Sequence, residues 1–164
     1  MNFDNLNKWL ALIGNAGVIL GILFLAIELQ QSNRIAVATA EADIRSKYID
    51  LGTTEIENLE LLQSLLTLRS SQEELTPIQD LMIRRYTRNT STFFMGVESA
   101  YDSNLISQPM FDSYINIATL TINGFPELAP YFLSIFEVRP EDEKDNAMAA
   151  HILSTARKAL NEGQ

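Results

Sequence analysis

Trp9-Leu10-Ala11-Leu12-Ile13-Gly14-Asn15-Ala16-Gly17-Val18-Ile19-Leu20-Gly21-Ile22-Leu23-Phe24-Leu25-Ala26-Ile27 is the stretch that decides the architecture, because no side chain in it carries a charge. As a helix rising about 1.5 Å per residue it covers about 29 Å, close to the thickness of a hydrocarbon core. Its leucines, isoleucines, Val18 and Phe24 together contribute about −3 to −7 kcal/mol on an insertion scale, which Asn15 and three glycines do not cancel. A core helix of a soluble globule is the competing reading, but such a helix is seldom apolar on every face. The expectation is a short tail over residues 1–8 and a transmembrane helix over residues 9–29.

A cleaved signal peptide is the other competitor, since Ala38-Thr39-Ala40 resembles a small-residue cleavage site. The spacing speaks against it: the apolar run is longer than a signal core, Lys8 alone charges the n-region, and Arg34 falls inside the would-be cleavage region. Lys8 and the amino terminus on one side, against Arg34, Arg45 and Lys47 on the other, assign the C-terminal part to the cytoplasm by the positive-inside rule. Trp9 suits the membrane interface, where an amphipathic indole settles.

Within the span, Gly17 and Gly21 form a GxxxG pair, Gly14 falls on nearly the same face, and Glu28 extends that stripe one heptad beyond Gly21. Small residues let two helix backbones approach closely, so the stripe reads as a self-association seam. Equally, glycine is simply common in membrane helices.

The formal net charge is −9. All acidic residues except Asp4 and Glu28, and all basic residues except Lys8, lie beyond residue 29, so the excess acidity belongs to the C-terminal part. Such a surface favours solubility and disfavours nucleic acid and anionic lipid as partners. With no cysteine, the chain has no disulfide, no thiolate metal site and no cysteine nucleophile.

No proline or glycine interrupts residues 22–51, which predicts that the spanning helix continues as a helical stalk over residues 30–51. Val37, Ala40, Ile44, Tyr48 and Leu51 recur at three- and four-residue steps and would line one stripe, facing a second copy or the chain's own soluble domain, residues 52–164. Gly52-Thr53-Thr54 reads as a break, with Thr54 and Glu57 spaced as a capping box. The next helix would bury Ile56, Leu59, Leu62, Leu65 and Leu66 and end near Ser70 and Ser71.

Thr76, Pro77 and Gln79 combine an N-cap, a first-turn proline and an N3 glutamine, the strongest helix start in the chain. That helix is expected to reach about Leu105, with Ile78, Leu81, Met82, the stem of Arg85, Phe93, Val97, Ala100 and Tyr101 toward the core and Gly96 at a close helix contact. Gln108 and Pro109 open another helix, burying Met110, Tyr114, Ile117 and Leu120 and stopping at Asn123-Gly124. A short apolar helix bent around Pro130 is expected over residues 125–136. Pro140, followed by Glu141, Asp142 and Glu143, starts a last helix with Arg157 and Lys158 toward its end, as the macrodipole favours. Strand-like alternation is missing, so the fold class is all-α.

Catalytic signatures are missing too. His151 is the sole histidine and reads as structural; no phosphate-cradling glycine loop, nucleophile elbow or EF-hand spacing occurs. The expectation is no enzyme, no cofactor and no metal site. Arg84, Arg85 and Arg88 form the densest basic cluster, best read as ion pairs with the many acids.

The span ending in Leu25-Ala26-Ile27-Glu28-Leu29-Gln30-Gln31-Ser32-Asn33-Arg34, the stretch Leu75-Thr76-Pro77, the helix carrying Phe93 and Phe94, and Tyr101-Asp102-Ser103-Asn104-Leu105-Ile106 before Phe111 are the residues of a resemblance. The chain resembles a family of small uncharacterised bacterial single-pass membrane proteins, each with an N-terminal transmembrane helix and a C-terminal helical domain. The resemblance implies that fold and an inner-membrane location, and it attaches no activity. The leading expectation is a non-enzymatic membrane-anchored helical protein. It would be a homo-oligomer or an accessory or scaffold subunit bound to membrane lipid and a membrane-protein partner. Alternatives are an oligomeric ion or small-solute channel lined by Asn15 and Glu28, or a membrane-tethered ligand-sensing domain with an apolar pocket near Phe93, Tyr101 and Arg88.

Overall fold

The computed structural model describes residues 3–70, 74–137 and 146–162, and among these every regular element is helical. The elements are α1 (Phe3–Glu57), α2 (Leu59–Ser70), α3 (Pro77–Asp102), α4 (Gln108–Gly124), a 3-10 turn (Pro126–Leu128), α5 (Ala129–Phe136) and α6 (Ala147–Glu162). The chain divides into two units, residues 1–39 and residues 40–164.

In the first unit, α1 is long and apolar enough to cross a membrane. Every large apolar side chain from Trp9 to Ile27 keeps between 55% and 66% of its surface exposed, so the helix buries none of its apolar band within its own unit.

In the second unit, α3 is the central element, with α2, α4, α5 and α6 packed around it. Ile83, Phe94 and Val97 of α3 meet Ile122 of α4, Phe132 and Phe136 of α5, and Met148 and Ile152 of α6 in a fully enclosed core. The part of α1 in this unit contributes Ile44, which is buried, and Tyr48, whose ring lies 5.7 Å from Phe93 and 5.8 Å from Tyr114. Of the expected stripe, Ala40, Ile44 and Tyr48 therefore lie on the chain's own domain, Leu51 lines an open cavity of that unit, and Val37 belongs to the first unit. All the tyrosines belong to this unit, whereas the lone tryptophan belongs to the other.

The expected break at Gly52-Thr53-Thr54 is absent: α1 runs on to Glu57, and the Thr54 hydroxyl bonds back to the Asp50 carbonyl at 2.8 Å instead of capping a new helix. The interruption falls at Asn58, whose side-chain oxygen accepts the Leu61 amide at 3.0 Å. In α2 the inward face is Leu61, Ser64 and Leu65, so Leu59 and Leu66, expected inside, are exposed, as is Ile56, which falls at the end of α1. In α3, Ile78 and Leu81 are likewise exposed, and Leu120 of α4 is as well.

The capping box at Thr76 is present, with the Gln79 amide donating to the Thr76 hydroxyl at 3.3 Å and the Thr76 amide to the Gln79 side chain at 2.9 Å. At its other end α3 stops at Asp102, short of Leu105. Asn104 takes a left-handed conformation (φ 56°), its amide reaches the Tyr101 carbonyl, and the Leu105 amide reaches that of Ala100, each at 2.8 Å. These two bonds make a Schellman motif. Helix α4 spans Gln108–Gly124 as its sequence signals predict. The bend expected at Pro130 is instead a 3-10 turn ending at Leu128, and Pro130 sits in the first turn of α5, where its missing N–H costs nothing. The expected helix start at Pro140 to Glu143 lies outside the described residues.

Candidate functional site

Gly14, Gly17 and Gly21 lie on the apolar segment of α1, and a Cβ built on any of them meets nothing within 4 Å. Glu28 is exposed on the same helix, beside Leu25, Leu29 and Ile35. The single chain therefore makes no use of this face.

The second unit contains an open-sided cavity of about 610 Å³ between residues 40–54 of α1 and residues 89–105 of α3 and its cap. Its wall is apolar, made by Ile44, Leu51, Phe93, Val97, Ala100 and Leu105. The Schellman turn at Asn104 is what folds Leu105 back toward Ala100. Along the rim stand Asp43, Lys47, Asp50, Thr54, Asn89 and Thr92. Lys47 pairs with Asp43 at 2.7 Å, one helical turn away, while the Asp50 carboxylate makes no ion pair among the described residues.

Gly96 lies in this wall and is exposed, with nothing within 4 Å of a Cβ placed on it. The close helix contact expected there is absent; the missing side chain leaves open space instead. Phe93 lines the cavity as expected of a pocket residue, but Tyr101 and Arg88 do not. Tyr101 stacks on Phe111 with ring centroids 4.3 Å apart, and its hydroxyl bonds to Gln108.

Of the basic cluster, Arg84 is paired, its Nε donating to Asp80 at 2.7 Å while its guanidinium lies over the Tyr131 ring. The Tyr131 hydroxyl donates to the other oxygen of Asp80 at 3.0 Å. These contacts, Arg84 first, hold the Asp80 carboxyl below its ordinary range. Arg88 lines a shallow cleft with Arg84, Tyr131 and Ser134 and forms no ion pair among the described residues, so the pairing expected for the whole cluster holds for Arg84 only.

His151 lies 2.6 Å from the Thr119 hydroxyl, joining α6 to α4. Glu41 accepts both the amide (3.1 Å) and the hydroxyl (2.7 Å) of Ser107, the N-cap of α4. Those bonds, the hydroxyl's first, hold its carboxyl below the usual range. Among the described residues no three His, Asp or Glu side chains converge on a point that would hold a metal ion.

The sequence offered two signals for the cavity, a mid-helix glycine and an Asp43–Lys47 pair at i,i+4, but neither says by itself which helices face each other. No family model matches the chain, and no curated protein or solved structure matches it either.

Proposed function

We propose that the chain is a non-enzymatic, membrane-anchored helical protein that acts as a self-associating or accessory subunit of a membrane assembly. Residues 9–29 cross the bilayer once, and Gly14, Gly17 and Gly21, with Glu28 at the edge, form the face that meets a second copy or a partner helix. The observation that carries this reading is the uncovered apolar band of α1, exposed all round from Trp9 to Ile27. In water each Å² of that surface costs about 25 cal/mol, a penalty that lipid removes. Arg34, Arg45 and Lys47 outweigh Lys8 and the amino terminus, which supports a cytoplasmic C-terminal domain. A bacterial inner membrane is the location that the resemblance drawn from the sequence would imply.

Two measurements test it. After alkaline carbonate washing, the full-length protein should stay with the membrane pellet; a compact, monodisperse species in the detergent-free supernatant would overturn the anchor. A Cβ at Gly17 or Gly21 meets nothing within 4 Å in the single chain, so G17L/G21L should act on the association and shrink the particle measured in mild detergent by light scattering. An unchanged particle size would remove the glycine face while leaving the anchor standing.

A further inference from the structure

The cavity between α1 and α3 is independent of the anchor reading, since every residue lining it belongs to the second unit. At about 610 Å³ it falls in the range of small-molecule sites, roughly 300–1,000 Å³. Its apolar wall and short polar rim have the composition that such sites share.

Gly96 is the informative residue. A glycine in a helix interior is destabilising relative to alanine. Helix packing is the ordinary reason to keep one, and here no neighbouring atom lies within 4 Å of the place a Cβ would take. The residue thus weakens α3 and gains no packing in return; what it preserves is the open volume beside Phe93 and Val97.

Charge at the rim selects the occupant. Lys47 is paired with Asp43, which leaves Asp50 as the rim charge without an ion pair among the described residues, in a chain whose net charge is −9. An anionic head placed there is repelled, and a cationic one is attracted both locally and by the overall field. We infer that the cavity is a binding site for an organic amine with an apolar body, the body lying against Phe93, Val97 and Leu105 and the ammonium group at Asp50.

Full-length protein in nanodiscs of zwitterionic lipid can be titrated with dansylcadaverine, a fluorescent amine, and with dansyl-6-aminohexanoic acid, its anionic counterpart, with empty nanodiscs as background. The amine should bind saturably and at least tenfold more tightly than the acid, and Asp50→Asn should remove most of that preference. Gly96→Leu should abolish the saturable signal while leaving helicity and particle size unchanged. Gly96→Ala, the milder variant, should weaken binding while raising the melting temperature. Equal binding of amine and acid would overturn the assignment of the head group. A saturable signal that survives Gly96→Leu, or the lack of one in the wild type, would overturn the site itself. A change of particle size in Gly96→Leu would mean that a second copy fills the cavity, and that too would overturn it.

Discussion

Glu98, buried in the last turns of α3, accepts the amide N–H of Met148 at 2.9 Å, so the first turn of α6 is capped from a different helix. Burial raises the Glu98 carboxyl above its ordinary range, with the nearby Asp102 adding to the shift and the Met148 amide opposing it. A raised folded-state value means that the neutral acid is favoured in the fold. Its contribution to stability is complete below the ordinary carboxylate pKa and is lost as pH rises through the folded value. Urea melts of the full chain across that window should show the decline, and Glu98→Gln should flatten it because the amide does not titrate, while its oxygen can still cap Met148. An unaltered slope in Glu98→Gln would assign the pH dependence elsewhere. Glu98→Ala, which leaves the Met148 amide without its acceptor, should cost about 1–3 kcal/mol.

The opposite sign holds for Asp80. Its folded value is depressed by Arg84 and Tyr131, so its contribution is present above the ordinary carboxylate pKa and is lost as pH falls through the depressed value. Asp80→Asn should therefore reduce the acid sensitivity of the melting temperature. A double-mutant cycle with Tyr131→Phe should return a coupling of well under 1 kcal/mol, since the carboxylate is partly exposed.

Asn104 holds its left-handed conformation at some cost that glycine would not bear. Asn104→Gly should stabilise the protein by about 0.5–1 kcal/mol, and Asn104→Val, branched at Cβ, should destabilise it by about 1–2 kcal/mol. Thermal denaturation followed by circular dichroism reads both, and a glycine variant no more stable than wild type would count against the strain.

Thr76→Ala removes the acceptor of the Gln79 amide. A loss of about 1 kcal/mol is expected, with Thr76→Ser close to wild type, in the same denaturation assay.

Local signals were the most legible part of this fold. The cap at Thr76, the start of α4 at Gln108 and the all-helical class follow from residues adjacent in sequence. The inward faces were harder to read because they include hydroxyl residues. Thr87, Thr90 and Ser64 are buried with their hydroxyls bonded to carbonyls one turn earlier, at 2.8, 3.0 and 2.6 Å, which removes the penalty for hiding them. A pattern read from apolar residues alone rotates α2 and α3 outward and puts Ile78, Leu81 and Leu59 inside. Thr54 misled for the same reason, since back-bonding to Asp50 lets it sit within a helix where a cap was expected. The cavity depends on which helix faces Gly96, and no local pattern encodes that.

The partition of aromatic residues between the two units makes each one separately visible. Excitation at the red edge of near-ultraviolet absorption reaches only Trp9, whose emission colour and accessibility to lipid-borne or aqueous quenchers report where the first helix resides. Tyr48 and Tyr114, whose rings lie 5.8 Å apart, with Tyr86, Tyr101 and Tyr131 make the tyrosine band a record of the second unit alone. Melting of the bundle and the environment of the first helix can thus be followed in one cuvette, on unlabelled protein, through two separate signals.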